Sequence, residues 1–184
     1  LYVATAEALD PEMKARIRRH RARRPQAWRT LEEPLEFAQR IDSEAAAGST
    51  VIVDCLTVWL GNLLEKYVQD ASNPRVADTK QVRRQALAEL RLLCNLPQQQ
   101  RLNIIVISNE VGAGLVPPSP LGRVYRDLLG EANQVVAGRA DKVVLLVAGI
   151  PVELKGLAVS KEGQYVGMLC WGRRTEQGNY QGEA

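Results

Sequence analysis

The chain has 184 residues, 46% hydrophobic and 24% charged, with a formal net charge of +3. That is ordinary for a soluble globular protein, and the length suits one α/β domain with a sizeable core. Three cysteines, Cys55, Cys94 and Cys170, form no C-x-x-C pair. They argue against a disulfide framework or a zinc site and for reduced thiols in the cytoplasm, while no apolar run approaches the ~20 residues of a membrane span and no stretch reads as a signal peptide.

Leu1-Tyr2-Val3-Ala4-Thr5-Ala6 has strand composition and ends in small residues, as strands do at a ligand-binding edge. The chain starts without methionine, inside this strand, and reads as one whose beginning is missing. The segment Asp10 to Trp28 follows and holds the single histidine, His20. From Asp10 to Arg24 the seven cations Lys14, Arg16, Arg18, Arg19, Arg21, Arg23 and Arg24 face two acids, Asp10 and Glu12. The segment is thus more basic than the whole chain, and the remainder is slightly acidic. Asp10 as N-cap, Pro11 in the first turn and Glu12 at the positive end of the dipole predict a helix, which Pro25 should stop. Met13, Ile17, His20 and Arg24 share one face at helical spacing.

Three readings compete for this segment. It is a solvated basic helix with a partly buried histidine, a set of phosphate contacts for nucleic acid, or a nucleophile beside an anionic phosphate substrate. The nucleic-acid reading is weakened by the modest net charge and by only nine aromatic residues.

Thr30 and Glu33 have capping-box spacing for a helix carrying Leu35, Phe37, Ala38 and Ile41, and the acids Glu32 and Glu33 suit its first turn. Thr50-Val51-Ile52-Val53-Asp54 has the shape of a Walker B strand, an apolar run closed by an acid able to hold Mg²⁺. A helix follows to about Val68, then a polar loop over 70–79, then an amphipathic helix over 80–93 with a turn at 97–101. Residues 102–108 form another buried strand, leading into Asn109-Glu110-Val111-Gly112-Ala113-Gly114. There Glu110 is either a catalytic or magnesium-organising acid, or part of a turn that Asn109 caps. Residues 120–140 form a long helix and 142–147 a further strand ending at Ala148-Gly149-Ile150-Pro151. Residues 157–184, with Trp171, read as a peripheral hairpin or partly disordered tail. Apolar strands alternating with helices indicate a parallel sheet with covered faces, and ligands bind at the carboxyl ends of such strands. Ala4, Thr5, Ala6, Asp54 and Glu110 lie at those ends, so His20 belongs to the same rim.

Four stretches carry a resemblance over roughly residues 1–155. They are LYVATAEALDPEMKARIRRHRARRPQAWRTLE, VIVDCLTVWLGNLL, ISNEVGAGLVP and GRVYRDLLGEANQVVAGRADKVVLLVAGIPVELK. Together they resemble the bifunctional adenosylcobinamide kinases / adenosylcobinamide-phosphate guanylyltransferases of cobalamin biosynthesis. The resemblance implies a RecA-like P-loop NTPase fold, α/β with a mainly parallel sheet flanked by helices, over residues 1–156. It implies phosphorylation of adenosylcobinamide, then GMP transfer from GTP to adenosylcobinamide phosphate through a guanylylated histidine. His20 falls on that nucleophile. Ala4, Thr5, Ala6, Arg21, Ala22, Arg23, Arg24, Glu32 and Asp54 fall on nucleotide-binding positions, Asp54 also as the metal-holding acid. GTP or ATP with Mg²⁺, a homo-oligomer (often a trimer) and a cytoplasmic site are implied too, with no nucleic acid and no membrane span. Family members open with a strand and a Walker A loop, and no Gly-Lys-Ser or Gly-Lys-Thr occurs here. A truncated sequence with an unpaired gap between buried strands is the expectation. A non-catalytic paralogue that binds nucleotide or corrinoid is the alternative.

Overall fold

A computed structural model describes residues 1–155 and, as backbone, 166–170. In chain order the elements are β1 (Tyr2–Ala4), α1 (Pro11–Ala22), β2 (Thr30–Glu32), α2 (Phe37–Glu44), β3 (Thr50–Asp54), α3 (Leu56–Tyr67), α4 (Val76–Gln100), β4 (Asn103–Ser108), α5 (Pro120–Arg139), β5 (Lys142–Val147), β6 (Ile150–Lys155) and β7 (Val166–Cys170). The seven strands form one sheet in the order β2-β1-β3-β4-β7-β5-β6. All neighbours run parallel except β5 and β6. The mainly parallel α/β sheet expected from the apolar strands is the fold found.

The chain direction decides which face each helix covers. From β1 it steps outward to β2, then returns across β1 to β3 and onward to β4. Right-handed crossovers that travel in opposite directions carry their helices on opposite faces. Hence α1 lies on one face, and α2 to α5 on the other. On the second face Val3, Val51, Val53, Ile104 and Val106 are buried in one cluster with Phe37, Ile41, Trp59, Leu60, Leu90 and Leu129. On the first face Ile52, Ile105 and Ile107 remain half-buried.

Local chemistry sets the helix ends. Asp10 caps α1, its carboxylate accepting from the Met13 amide at 2.7 Å with Pro11 next in line. Ser119 and Pro120 repeat the arrangement at α5. At the other end of α5, Lys155 Nζ donates to the carbonyls of Ala137 at 3.1 Å and Gly138 at 3.3 Å, a cation where the dipole is negative.

Four expectations change. Thr30 does not cap a helix, because residues 30–32 pair with β1 as an edge strand. Glu33 makes the turn instead, its Oε1 accepting from the amides of Leu35 and Glu36 at 3.0 Å each. The helix expected over 80–93 runs from Val76 through Pro97 to Gln100, where Arg101 ends it with φ 56°. Burial of Leu93, Leu96 and Pro97 offsets the lost amide bond at the proline. Ala148 and Gly149, both at positive φ, turn β5 into the hairpin strand β6 rather than ending the sheet. Finally, the gap expected between buried strands is filled, since β7 lies between β4 and β5. Residues 166–170 are therefore not peripheral, while the tail reading for 157–165 and 171–184, Trp171 included, lies outside the described residues.

One charge is held inside the core. Glu89 on α4 is 8% exposed and accepts from the Ala38 amide at 2.5 Å. Burial pushes its carboxyl above the ordinary 4.5; the Ala38 bond opposes this, and Glu36 and Glu33 reinforce it. The folded chain then binds this proton more tightly than the unfolded chain, so stability falls as pH rises above about 4.5 until Glu89 is ionised. Glu89→Gln keeps an acceptor for Ala38 and removes the charge. It is expected to raise the urea midpoint at about pH 8, with the gain fading towards about pH 4. An equal gain at both pH values would show that the charge is not the cause.

Candidate active site

Strand register builds the floor of the site. Ala4 pairs with Glu32 on one side and Asp54 on the other, and Asp54 pairs with Ile107. These four residues form a single row across the carboxyl ends of β2, β1, β3 and β4. Alternation along the strands turns the row to the α1 face, together with Tyr2 and Thr30 one pleat below. Two acids thus stand on either side of Ala4.

The basic segment lies over this row. His20 is in the last turn of α1, its side chain 65% exposed, with Nδ1 3.9 Å from Asp54 Oδ2. Arg21 Nη1 donates to Glu32 Oε1 at 3.2 Å. Arg24 reaches back over the sheet: Nη1 donates to Thr30 Oγ1 at 3.3 Å, and the guanidinium carbon lies 3.7 Å above the centre of the Tyr2 ring. The same ring stacks on Trp28, centroids 6.3 Å apart. The Arg24 Nε is buried without a hydrogen-bond partner. Arg23 and Ala22 are exposed at the end of the helix. The histidine is not the partly buried one of the first reading, and no residue of α1 is buried.

Beneath the row lies a layer of saturated polar groups. The Thr5 hydroxyl donates to the Cys55 carbonyl and accepts from the Cys55 amide, both at 2.9 Å. The Thr5 amide donates to the Asp54 carbonyl at 3.1 Å. Asn62 on α3 donates to the carbonyls of Thr5 at 2.7 Å and Pro34 at 3.2 Å, tying the exits of β1 and β2 together. Thr5 is fully buried, so its hydroxyl anchors the rim rather than facing it, while Ala6 sits half-buried at the start of the loop to α1.

Along the rim at β4, Asn109 donates to Thr57 Oγ1 at 2.7 Å, and Tyr125 donates to the Thr57 carbonyl at 3.1 Å. Burial first, and then Cys55, pushes the Tyr125 phenol up to about 12. Glu110 is exposed and accepts from the Gly112 amide at 2.6 Å. The turn is thus capped by Glu110 and not, as expected, by Asn109, whose side chain is engaged with Thr57. Among the described residues no three His, Cys, Asp or Glu side chains come together as a metal cage. A lone carboxylate at a strand end, as Asp54 is, would suit a cation that takes its other ligands from phosphate oxygens and water, as Mg²⁺ does.

Tyr2, Trp28, Thr30 and Asn62 belong to this constellation, and the sequence reading did not select them. For Tyr2 the signal was present: two residues before Ala4 in a strand is the same face. The other three reach the site through turns and a second helix, which no local pattern announces.

Comparison with known proteins gives a consistent result. The family model described as "Cobinamide kinase / cobinamide phosphate guanyltransferase" matches residues 1–154. The chain is 48% identical over 155 residues to the bifunctional adenosylcobalamin biosynthesis protein CobP of Pseudomonas aeruginosa, covering 84% of this chain and 82% of that one. It is 37% identical to the bifunctional adenosylcobalamin biosynthesis protein CobU of Escherichia coli K12, covering 84% and 85%. The CobU of Salmonella typhimurium is 36% identical over the same shares.

Proposed function

Since this chain belongs to the cobinamide kinase / cobinamide phosphate guanyltransferase family, we propose that it carries both reactions in adenosylcobalamin biosynthesis. It phosphorylates the aminopropanol hydroxyl of adenosylcobinamide, using GTP or ATP. It then moves GMP from GTP onto that phosphate by way of His20. The observation that carries this reading is the sole histidine held 3.9 Å from Asp54, above a row that also holds Glu32, with Arg21 bonded to Glu32 and Arg24 over the Tyr2 ring.

The chemistry follows from those residues. An imidazole nitrogen of His20 attacks the α-phosphorus of GTP, the N–P bond forms, and the bond to the pyrophosphate oxygen breaks. A phosphate oxygen of adenosylcobinamide phosphate then attacks the same phosphorus, and the N–P bond breaks to return the free imidazole. Two in-line displacements replace one direct attack by a weakly nucleophilic phosphate. Arg21, Arg23 and Arg24 offset charge on the phosphates, with no dependence on nucleic acid. Ala4, Ala6 and the backbone around Thr5 leave room for a nucleotide beside Glu32. Asp54 is the residue that would hold Mg²⁺, which supplies charge neutralisation for the leaving pyrophosphate.

Cys55 and Cys94 are both free thiols, which supports a reducing, cytoplasmic setting. Among the described residues no helix is long and apolar enough to cross a membrane. A homo-oligomer, as a trimer, completes the proposal and rests on the family alone.

The test is mass spectrometry of the chain after incubation with GTP and Mg²⁺, kept out of acid because phosphoramidates are acid-labile. A GMP adduct on the His20 peptide, discharged on adding adenosylcobinamide phosphate, is the expected result. A chain that binds GTP and never carries the adduct would be the non-catalytic binder instead.

A further inference from the structure

Tyr2 lies at the centre of the site without a part in the chemistry described above. It is 7% exposed, in β1 two residues before Ala4, and therefore turned to the same face as Asp54. Its hydroxyl donates to Asp54 Oδ2. That oxygen is also the one nearest His20, 3.9 Å from Nδ1. The ring packs against the Arg24 guanidinium and stacks on Trp28, both in the segment that leaves the carboxyl end of α1. One side chain thus touches the acid below the nucleophile and the segment that follows the nucleophile's helix.

We propose that Tyr2 is a positioning residue for His20, its hydroxyl fixing the Asp54 carboxylate so that Oδ2 faces Nδ1 of the imidazole. This rests on the reading of His20 as the group that takes GMP. A carboxylate on the end of a strand can rotate about its terminal bond, and a donor locked in the sheet removes that freedom. With Oδ2 held on the Nδ1 side of the ring, Nε2 is the nitrogen turned outward as the attacking atom. The phenol itself moves no proton. Burial, with the Asp54 bond and charge adding to it and Arg24 opposing, holds it above the ordinary 10, so it stays a donor across the working range. The contacts of the ring serve the same end: with Arg24 over the ring and bonded to Thr30, the carboxyl end of α1 is tied to the edge strand.

Tyr2→Phe, Asp54→Asn and the double variant test this, because Phe keeps the ring for Arg24 and Trp28 and deletes only the hydroxyl. Two readouts are taken on the full chain. The first is the rate of GMP adduct formation on His20. Tyr2→Phe is expected to slow it about 10- to 100-fold at saturating GTP with little change in KM. Adding Tyr2→Phe to Asp54→Asn should slow it no further, since one acts through the other. The second is the imidazole ¹⁵N spectrum without nucleotide, unambiguous because His20 is the only histidine. Tyr2→Phe and Asp54→Asn should each move the Nδ1 resonance, and Tyr2→Phe should move nothing in the Asp54→Asn background. Unmoved resonances in both single variants overturn the proposal whether or not the chain forms an adduct. A wild-type chain with no adduct overturns the His20 reading instead, and the ¹⁵N spectra still decide the role of Tyr2.

Discussion

His20→Ala is expected to abolish guanylyl transfer, a loss of about 10³-fold or more, while leaving the fold in place. The imidazole is the proposed nucleophile, and no second histidine exists to take over. Stability should barely change, because the side chain is 65% exposed and its approach to Asp54 is no closer than 3.9 Å. Surface substitutions of this kind stay within about 0.5 kcal/mol. Labelled GMP transfer and a urea titration on the same preparation separate the two effects. Transfer that survives the substitution would remove His20 from the mechanism. Lost transfer together with a lowered urea midpoint would make the histidine structural.

The largest stability loss is expected at Trp59→Ala, about 3–5 kcal/mol. Trp59 on α3 is fully buried and meets Phe37 of α2 edge-on, centroids 5.1 Å apart at 67°. Its Nε1 donates to the Leu35 carbonyl at 2.9 Å. Alanine would leave a large cavity under the sheet and an unpaired carbonyl in the turn that follows Glu32. Against a total of about 5–15 kcal/mol for a domain, that removes much of the margin. Trp59→Phe should cost less, since it fills most of the volume and forfeits mainly the hydrogen bond. Urea midpoints for the two variants give the ranking. A Trp59→Ala midpoint within error of the parent would mean that the α2–α3 contact is not where the core's stability lies.

Much of this architecture could be read in the chain because buried parallel strands are apolar without alternation, as in 51–53 and 104–107. Each closes at the rim where Asp54 and Asn109 stand. His20 was visible for a different reason, being alone of its kind in a run of arginines. The edge strand at Thr30–Glu32 escaped notice because three residues are too few to show a period. Thr30 and Glu33 also have the spacing of a helix cap, and which pattern prevails depends on β1 lying alongside. The β5–β6 turn uses Ala-Gly where the common signal is Asn-Gly, so its left-handed geometry had no local advertisement. β7 depends on partners about 60 and 25 residues earlier in the chain, and a short segment carries no record of such distant neighbours. The partition of helices between the two faces follows from handedness, but only once the strand order is known.

The loneliness of α1 on its face has a consequence for time as well as for space. A helix that buries none of its twelve residues is held by its two ends and a few polar contacts, so its local opening costs far less than global unfolding. Asp54 is anchored in the sheet and shares its fate, whereas α1 can open locally while the sheet stays closed. The sheet keeps the acid still, and the contacts of Arg21 and Arg24 with Glu32, Thr30 and Tyr2 decide how long the end of the helix stays over it.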